Sequence, residues 1–257
     1  MSTNYAIYFD SSKCIACRSC QVSCKQWNDR EAEITENRGS YENPAHLSSQ
    51  TWLRITFREG TKQNNDPFWF FGRNSCLHCT DAPCVSVCPT GAMAHVNNNY
   101  VVVDTDWCIG CRYCVQACPY EVPRFNEKLG VVEKCTFCVD RVQNGYQPAC
   151  VKSCPDSALE FGDRDKMIGK AKARIAKLKG QGFSKARIYG DKELSGQHVI
   201  NILLDEPEAY GMPSKPKGTG TQIATDWGSG VAAAAVMATL PIAWAVNRRM
   251  NAKKEEK

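Results

Sequence analysis

The stretch CIGCRYCVQACP, residues 108–119, carries Cys108, Cys111, Cys114 and Cys118, with Pro119 directly after them. Three thiolates at this spacing wrap one corner of an iron-sulfur cubane, and the remaining iron must be reached from elsewhere in the chain. The fourth cysteine of the run therefore turns away to serve a different cluster. Working outward, the same C-x2-C-x2-C-x3-C spacing recurs at Cys14, Cys17, Cys20 and Cys24. Two further runs carry insertions between their second and third ligands: Thr80 to Pro83 within Cys76, Cys79, Cys84, Cys88, and Val139 to Ala149 within Cys135, Cys138, Cys150, Cys154. These four groups use all 16 cysteines, so no thiol is left over for another purpose.

Residues around the groups suit the same chemistry. Pro89, Pro119 and Pro155 follow three of the fourth cysteines, where proline removes an amide donor and ends any local helix; Lys25 takes that place in the first group. Ala16 and Gly110 are small enough to let backbone amides approach the sulfurs. The competing metal is zinc, which takes pairs of C-x-x-C thiolates, or thiolates with imidazoles, at a tetrahedral site. Triads with a distant fourth cysteine do not match it. His78 lies between Cys76 and Cys79 but is not expected to be a ligand, because every cubane already has four thiolates; His46, His95 and His198 are expected to be structural or exposed. Arg18, Arg112, Lys134 and Lys152 flank the runs, and their charge either tunes cluster potential or is simply solvated.

Composition narrows the class. With 257 residues, 43% hydrophobic and 23% charged, the chain is expected to form one or two compact domains. A chain of this length needs no disulfide framework to support its core. Met1 to Asp10 shows no basic, apolar leader, so the chain is expected not to direct its own secretion. The net charge of +5 is spread without a basic stripe interleaved with aromatics, which argues against a nucleic-acid partner.

Hydrophobic periodicity places the remaining elements. Gly91 to Val96 and Tyr100 to Asp104 read as a hairpin about Asn97, Asn98 and Asn99. Thr51 to Phe57 reads as a strand, and the aromatic run Phe68 to Phe71 as core or a partner-facing patch. Ile168, Ala171, Ile175 and Leu178 recur at helical spacing and predict an amphipathic helix. A strand is predicted over His198 to Leu204, then a linker or partner-wrapping arm over Asp205 to Asp226. Residues 227–247 hold no charged side chain and span roughly 31 Å as a helix, enough to cross a hydrocarbon core. Trp227 and Trp244 flank or line this span, and Gly228, Gly230 and Ala232 to Ala235 permit close helix packing. Arg248, Arg249, Lys253 and Lys254 follow it, which places the C-terminus in the cytoplasm and the cluster domain outside. Export of a folded cluster domain without a leader is expected to rely on a partner that carries a twin-arginine signal. The expected organisation is a four-cluster domain over 1–160 with an insertion at about 25–75, a helix, strand and arm over 161–226, a transmembrane helix over 227–247 and a basic cytoplasmic tail over 248–257.

Four such runs in one chain resemble the four-cluster ferredoxin-like subunits of the molybdopterin oxidoreductase superfamily, which includes dimethyl sulfoxide, nitrate and polysulfide reductases, some hydrogenases and formate dehydrogenase. CIACRSCQVSCKQWND at 14–29, ENPAHLSSQTW at 42–52, CTFCVDRVQNGYQPACVKSCP at 135–155, HVINILL at 198–204 and YGMP at 210–213 are most similar to the iron-sulfur (beta) subunit of respiratory formate dehydrogenase. The resemblance implies an α+β fold of tandem ferredoxin-like 2×(4Fe-4S) units with insertions, and one C-terminal transmembrane helix. It also implies which runs exchange fourth cysteines. One cluster would use Cys14, Cys17, Cys20 and Cys154, and its mate Cys135, Cys138, Cys150 and Cys24. The inner pair would use Cys76, Cys79, Cys84 with Cys118, and Cys108, Cys111, Cys114 with Cys88. The spacing alone supports the exchange but does not choose partners.

The implied function is electron relay through four 4Fe-4S clusters, with no catalytic residue in this chain. Electrons would pass from a catalytic subunit with a molybdenum or tungsten pterin cofactor to a membrane cytochrome b or quinone-binding subunit, with the C-terminal helix in the lipid of the cytoplasmic membrane. The alternatives are the equivalent subunit of a membrane-bound hydrogenase or of a dimethyl sulfoxide, polysulfide or nitrate type reductase, and, in a different class, a zinc-stabilised scaffold.

Overall fold

The computed structural model describes residues 4–61, 65–96, 100–218 and 237. The chain divides into two compact units, Met1–Pro216 and Lys217–Lys257, and every element named below lies in the first. In chain order these are β1 (Tyr5–Asp10), α1 (Ser19–Trp27), β2 (Leu53–Thr61), β3 (Pro67–Ser75), α2 (Pro83–Ser86), β4 (Met93–Val96), β5 (Tyr100–Val103), α3 (Tyr113–Ala117), β6 (Arg124–Asn126), β7 (Val131–Glu133), α4 (Val139–Gln143), α5 (Ala149–Lys152), β8 (Leu159–Asp163), α6 (Arg164–Gly180), β9 (Arg187–Tyr189) and β10 (Val199–Leu203). Single 3-10 turns form at Glu193–Ser195 and Pro207–Tyr210.

The largest sheet has the order β8-β1-β10-β9, with β1 parallel to β10 and antiparallel to β8. Alternation along β1 sends its side chains to two different cores. Ala6 and Tyr8 pack with Ile200 and Ile202 against Ala171 and Leu178 of α6. Ile7 and Phe9 face the other way, into the core that holds Cys20, Cys24, Cys135 and Cys150. Both faces of β10 are covered, which is why VINIL is apolar almost throughout and buried at all five positions.

Helix α6 forms where the 3-4-3 apolar spacing predicts it. Asp163 caps its start by accepting from the amides of Asp165 and Lys166 at 3.1 and 3.2 Å. Asp165 in the first turn and Lys177 and Lys179 in the last complement the helix dipole.

Three two-stranded ribbons, β2-β3, β4-β5 and β6-β7, complete the described sheets. Ribbon β4-β5 pairs the two strands expected on either side of Asn97 to Asn99, Met93 with Val103, and those three residues lie outside the described ones. In β2-β3 the aromatic run divides by the period-2 rule. Phe70 is buried and stacks on Tyr210 at 5.2 Å, whereas Trp69 is half exposed and sits 5.2 Å from Phe71.

The arm expected from Asp205 onward begins as ordered structure. Tyr210 is buried, accepts from the Leu204 amide at 3.0 Å and shares a hydrogen bond with Ser11. Proline and glycine content suggested a linker here, but the buried aromatic anchors the turn to the core. The membrane span expected over 227–247 lies, Met237 apart, outside the described residues, as does the basic tail. Among the described residues no helix is long and apolar enough to cross a membrane.

Candidate iron-sulfur centres

Each cysteine run folds by the same local device. The residue two positions after the first cysteine takes a left-handed backbone in all four runs: Ala16 at φ 54°, His78 at 50°, Gly110 at 69° and Phe137 at 62°. Non-glycine residues adopt this region rarely, and strained backbone of this kind concentrates at functional sites. The turn curls the chain so that the second cysteine faces the same side as the first. The third cysteine then occupies the second position of a short helix in every run: Cys20 in α1, Cys84 in α2, Cys114 in α3 and Cys150 in α5. The gaps, widened from two residues to four and eleven, end on the first residue of those helices, at Pro83 and Ala149.

Packing of the short helices brings runs together in pairs. Helix α1 meets α5 through Ser23 and Ser153 hydroxyls at 2.7 Å and through Ser19 Oγ donating to the Ser153 carbonyl at 2.9 Å. Cys84 and Cys114 share a separate core with Ala82, Met93, Val101 and Val132.

The resulting thiol groups are sorted. Cys14, Cys17, Cys20 and Cys154 line one small cavity, Cys88, Cys108, Cys111 and Cys114 a second, and Cys76, Cys79, Cys84 and Cys118 a third. Cys24 lies within electrostatic reach of Cys135, Cys150 and Cys138. None of the 16 forms a disulfide. Among the described residues no three His, Cys, Asp or Glu side chains converge closely enough to hold one metal ion. A cubane asks for something different, because its four thiolates bind four separate irons and stand around a cavity rather than at a point. The donor sets fit a 4Fe-4S group on that ground.

The sets stand in a row. Cys20 lies within electrostatic reach of Cys150, Cys76 of Cys135, and Cys84 of Cys114, so each group neighbours the next. Only Cys17 and Cys111 among the cysteines are exposed, and they belong to the first and last groups of the row.

Burial raises most of these thiols: Cys14, Cys76 and Cys114 are each pushed up to about 11 and Cys138 to about 12. The thiolate form thus depends on metal binding, which displaces the proton. Cys88 goes the other way. Burial acts to raise it, but the amides of Met93, Thr90 and Gly91 and the Thr90 hydroxyl outweigh that and lower its pKa. Further amides reach sulfur elsewhere, from Val132 to Cys108 and from Leu159 to Cys154, both at 3.4 Å. The side chains of Gln197 and Asn28 donate to Cys79 at 3.7 Å and to Cys24 at 3.8 Å.

Of the histidines, His78 is buried, and its Nδ1 accepts from the Val101 amide at 3.2 Å. His198 is buried too, with Nδ1 donating to the Tyr5 carbonyl at 2.8 Å. Among the flanking basic residues, Arg112 is exposed with its guanidinium 3.7 Å over the Phe125 ring, Arg18 lies 5.0 Å over Phe57, and Lys152 is exposed. Lys134 is the exception, being 2% exposed beside the third cavity. Arg73 was not marked by any spacing in the sequence, yet it is 4% exposed and faces four thiols. The only cue was a charged residue inside the otherwise apolar and small PFWFFGRNS strand.

Comparison with known proteins points to the same kind of group. Residues 13–92 and 67–164 match two family models, each described as a 4Fe-4S dicluster domain. The chain is 43% identical over 212 residues to the iron-sulfur subunit of the nitrate-inducible formate dehydrogenase of Escherichia coli, covering 81% of this chain and 72% of that one. It is 35% identical over 213 residues to formate dehydrogenase 2 subunit beta (cytochrome c-553) of Nitratidesulfovibrio vulgaris, covering 80% and 95%. It is 40% identical over 190 residues to the B subunit of the anaerobic dimethyl sulfoxide reductase of E. coli, covering 73% and 88%. Fold and thiolate sets therefore define an electron-transfer protein of the 4Fe-4S dicluster class. Within that class this protein belongs to the family of formate dehydrogenase iron-sulfur subunits, to which the dimethyl sulfoxide reductase B subunit is related.

Proposed function

We propose that this chain relays electrons singly through four 4Fe-4S clusters, held by Cys14, Cys17, Cys20 and Cys154; by Cys24, Cys135, Cys138 and Cys150; by Cys76, Cys79, Cys84 and Cys118; and by Cys88, Cys108, Cys111 and Cys114. The observation that carries this reading is the sorting of the thiols into sets of four around small cavities, each set within electrostatic reach of the next. The clusters supply the one-electron chemistry, and the chain supplies ligation, spacing and electrostatics. No catalytic residue is assigned to it.

The two ends of the row are the ports for electrons. Cys17 and Cys111 reach the surface there, beside the exposed side chains of Ile15 and Ile109. One port would face a catalytic subunit carrying a molybdenum or tungsten pterin cofactor. The other would face a membrane subunit, a b-type cytochrome or quinone-binding protein. The names of the relatives favour formate as the source of electrons: its oxidation to carbon dioxide releases a proton and an electron pair, which the relay accepts one electron at a time. Residues 227–247 are proposed to span the cytoplasmic membrane once, with residues 248–257 inside and the cluster domain outside, exported with a partner that carries the signal.

The test is anaerobic purification of the full-length protein with its partners from solubilised membranes, followed by formate-dependent dye reduction and metal analysis. Formate activity together with iron and molybdenum or tungsten is the expected result. Iron with dimethyl sulfoxide-dependent oxidation of a reduced dye, and no formate activity, would favour a reductase subunit with electron flow reversed. That second reading rests on the 40% identity to the dimethyl sulfoxide reductase subunit.

A further inference from the structure

Two buried cations stand at successive junctions of the row. Arg73 lies on β3 opposite Ile55 and is 4% exposed. None of its three guanidinium nitrogens makes a hydrogen bond of good geometry, and among the described residues no carboxylate pairs with it. The groups it faces are instead the sulfurs of Cys150, Cys135, Cys20 and Cys24, drawn from the first two proposed sets, which carry negative charge once they ligate a cluster. Lys134 is 2% exposed and lines the cavity of Cys76, Cys79, Cys84 and Cys118. Its Nζ donates to the Val101 and Cys135 carbonyls, so it is fixed between the second and third sets.

A guanidinium or ammonium group without a carboxylate partner is costly to bury, and such groups persist where another anion offsets the loss of hydration. Each cluster with four thiolate ligands carries net negative charge that grows by one on reduction. A fixed, buried cation beside a cluster favours the reduced form, and a buried charge is screened by salt less than an exposed one. We propose that Arg73 and Lys134 are the potential-setting cations of the relay, Arg73 raising the potentials of the first and second clusters and Lys134 raising that of the third. The fourth set, Cys88, Cys108, Cys111 and Cys114, has no such buried partner among the described residues; Arg112, which lines its cavity, is exposed over Phe125. The device therefore grades the row, leaving the fourth cluster set by amide contacts such as Met93 to Cys88 and Val132 to Cys108.

This inference rests on the cluster assignment above, and its test separates the two. Midpoint potentials are measured by anaerobic redox titration followed by electron paramagnetic resonance on the complex containing the full-length protein, alongside iron content. Arg73→Gln should lower the potentials of two clusters and leave the other two in place, whereas Arg73→Lys should restore most of the shift. Lys134→Met should lower a different cluster and spare the fourth. Unchanged potentials in Arg73→Gln with a full iron complement would overturn the proposal. So would equal shifts in Arg73→Lys and Arg73→Gln, which would mean shape rather than charge is at work. If Arg73→Gln fails to hold iron, Arg73→Lys decides: retention of iron supports a required cation, and its loss overturns the proposal. Absence of 4Fe-4S signals from the unsubstituted complex would instead defeat the relay reading itself.

Discussion

Arg174 of α6 donates from Nε to Oδ2 of Asp10 at 2.8 Å, and the carboxylate it meets is wholly buried at the end of β1. Its Nη2 also reaches Ser12 Oγ at 2.7 Å, and Asp10 accepts from the Ser12 amide at 3.0 Å. Helix α6 is thereby tied to the segment that enters the first cysteine loop at Cys14. Removing one partner of a buried pair leaves an uncompensated charge and costs about 3–5 kcal/mol. Arg174→Met should lower the denaturant midpoint of the anaerobic, iron-loaded protein by a corresponding amount, and adding Asp10→Asn should recover part of the loss. A double variant no better than the single one would mean that the pair is not coupled.

Gly110 illustrates a position where only glycine fits. Its φ is 69°, and a Cβ placed there would lie 2.3 Å from the Gly130 carbonyl oxygen. Gly110→Ala should therefore open the loop that aligns Cys108 and Cys111. Iron analysis should fall by one cluster's complement while the remaining signals persist. Full iron content with unchanged spectra would contradict this.

Cys154 tests the exchange of fourth ligands. It lines the cavity of Cys14, Cys17 and Cys20, although in sequence it follows Cys150 by four residues. Cys154→Ser should damage the cluster of the first run. Loss of the third run's cluster would overturn the assignment of sets.

The sequence carried much of this site openly. Sixteen cysteines in four runs mark the candidate ligands because their spacing suits a cubane, and helix α6 and strand β10 announce themselves through period and burial. Three features were out of its reach for a physical reason. Arg73 reaches the thiols only after β2 and β3 pair, so its role is a product of tertiary contact. Tyr210 is buried by stacking on Phe70, from a segment whose composition alone suggests a linker. The shared left-handed turn at Ala16, His78, Gly110 and Phe137 is hidden because a glycine marks only one of the four.

His198 supplies a pH dependence separate from the thiols. It precedes β10, is 3% exposed, and keeps Nδ1 on the Tyr5 carbonyl, so Nδ1 carries the proton in the neutral ring. Burial lowers its pKa below the ordinary value of about 6.5, helped by the nearby charges of Arg164 and His95 and opposed by the hydrogen bond to Tyr5. Because the folded state binds the proton less readily than the unfolded state, stability is fully present above about pH 6.5. It is lost as pH falls towards the lowered native value, at up to about 1.4 kcal/mol per pH unit, and the loss levels off below that value. His198→Asn keeps an amide donor for Tyr5 but cannot titrate. The stability advantage of the unsubstituted protein over this variant, read from anaerobic unfolding midpoints, should be constant above about pH 7.5 and shrink steadily as the pH falls below about 6.5. Profiles that stay parallel across that range would show that His198 is not the group responsible.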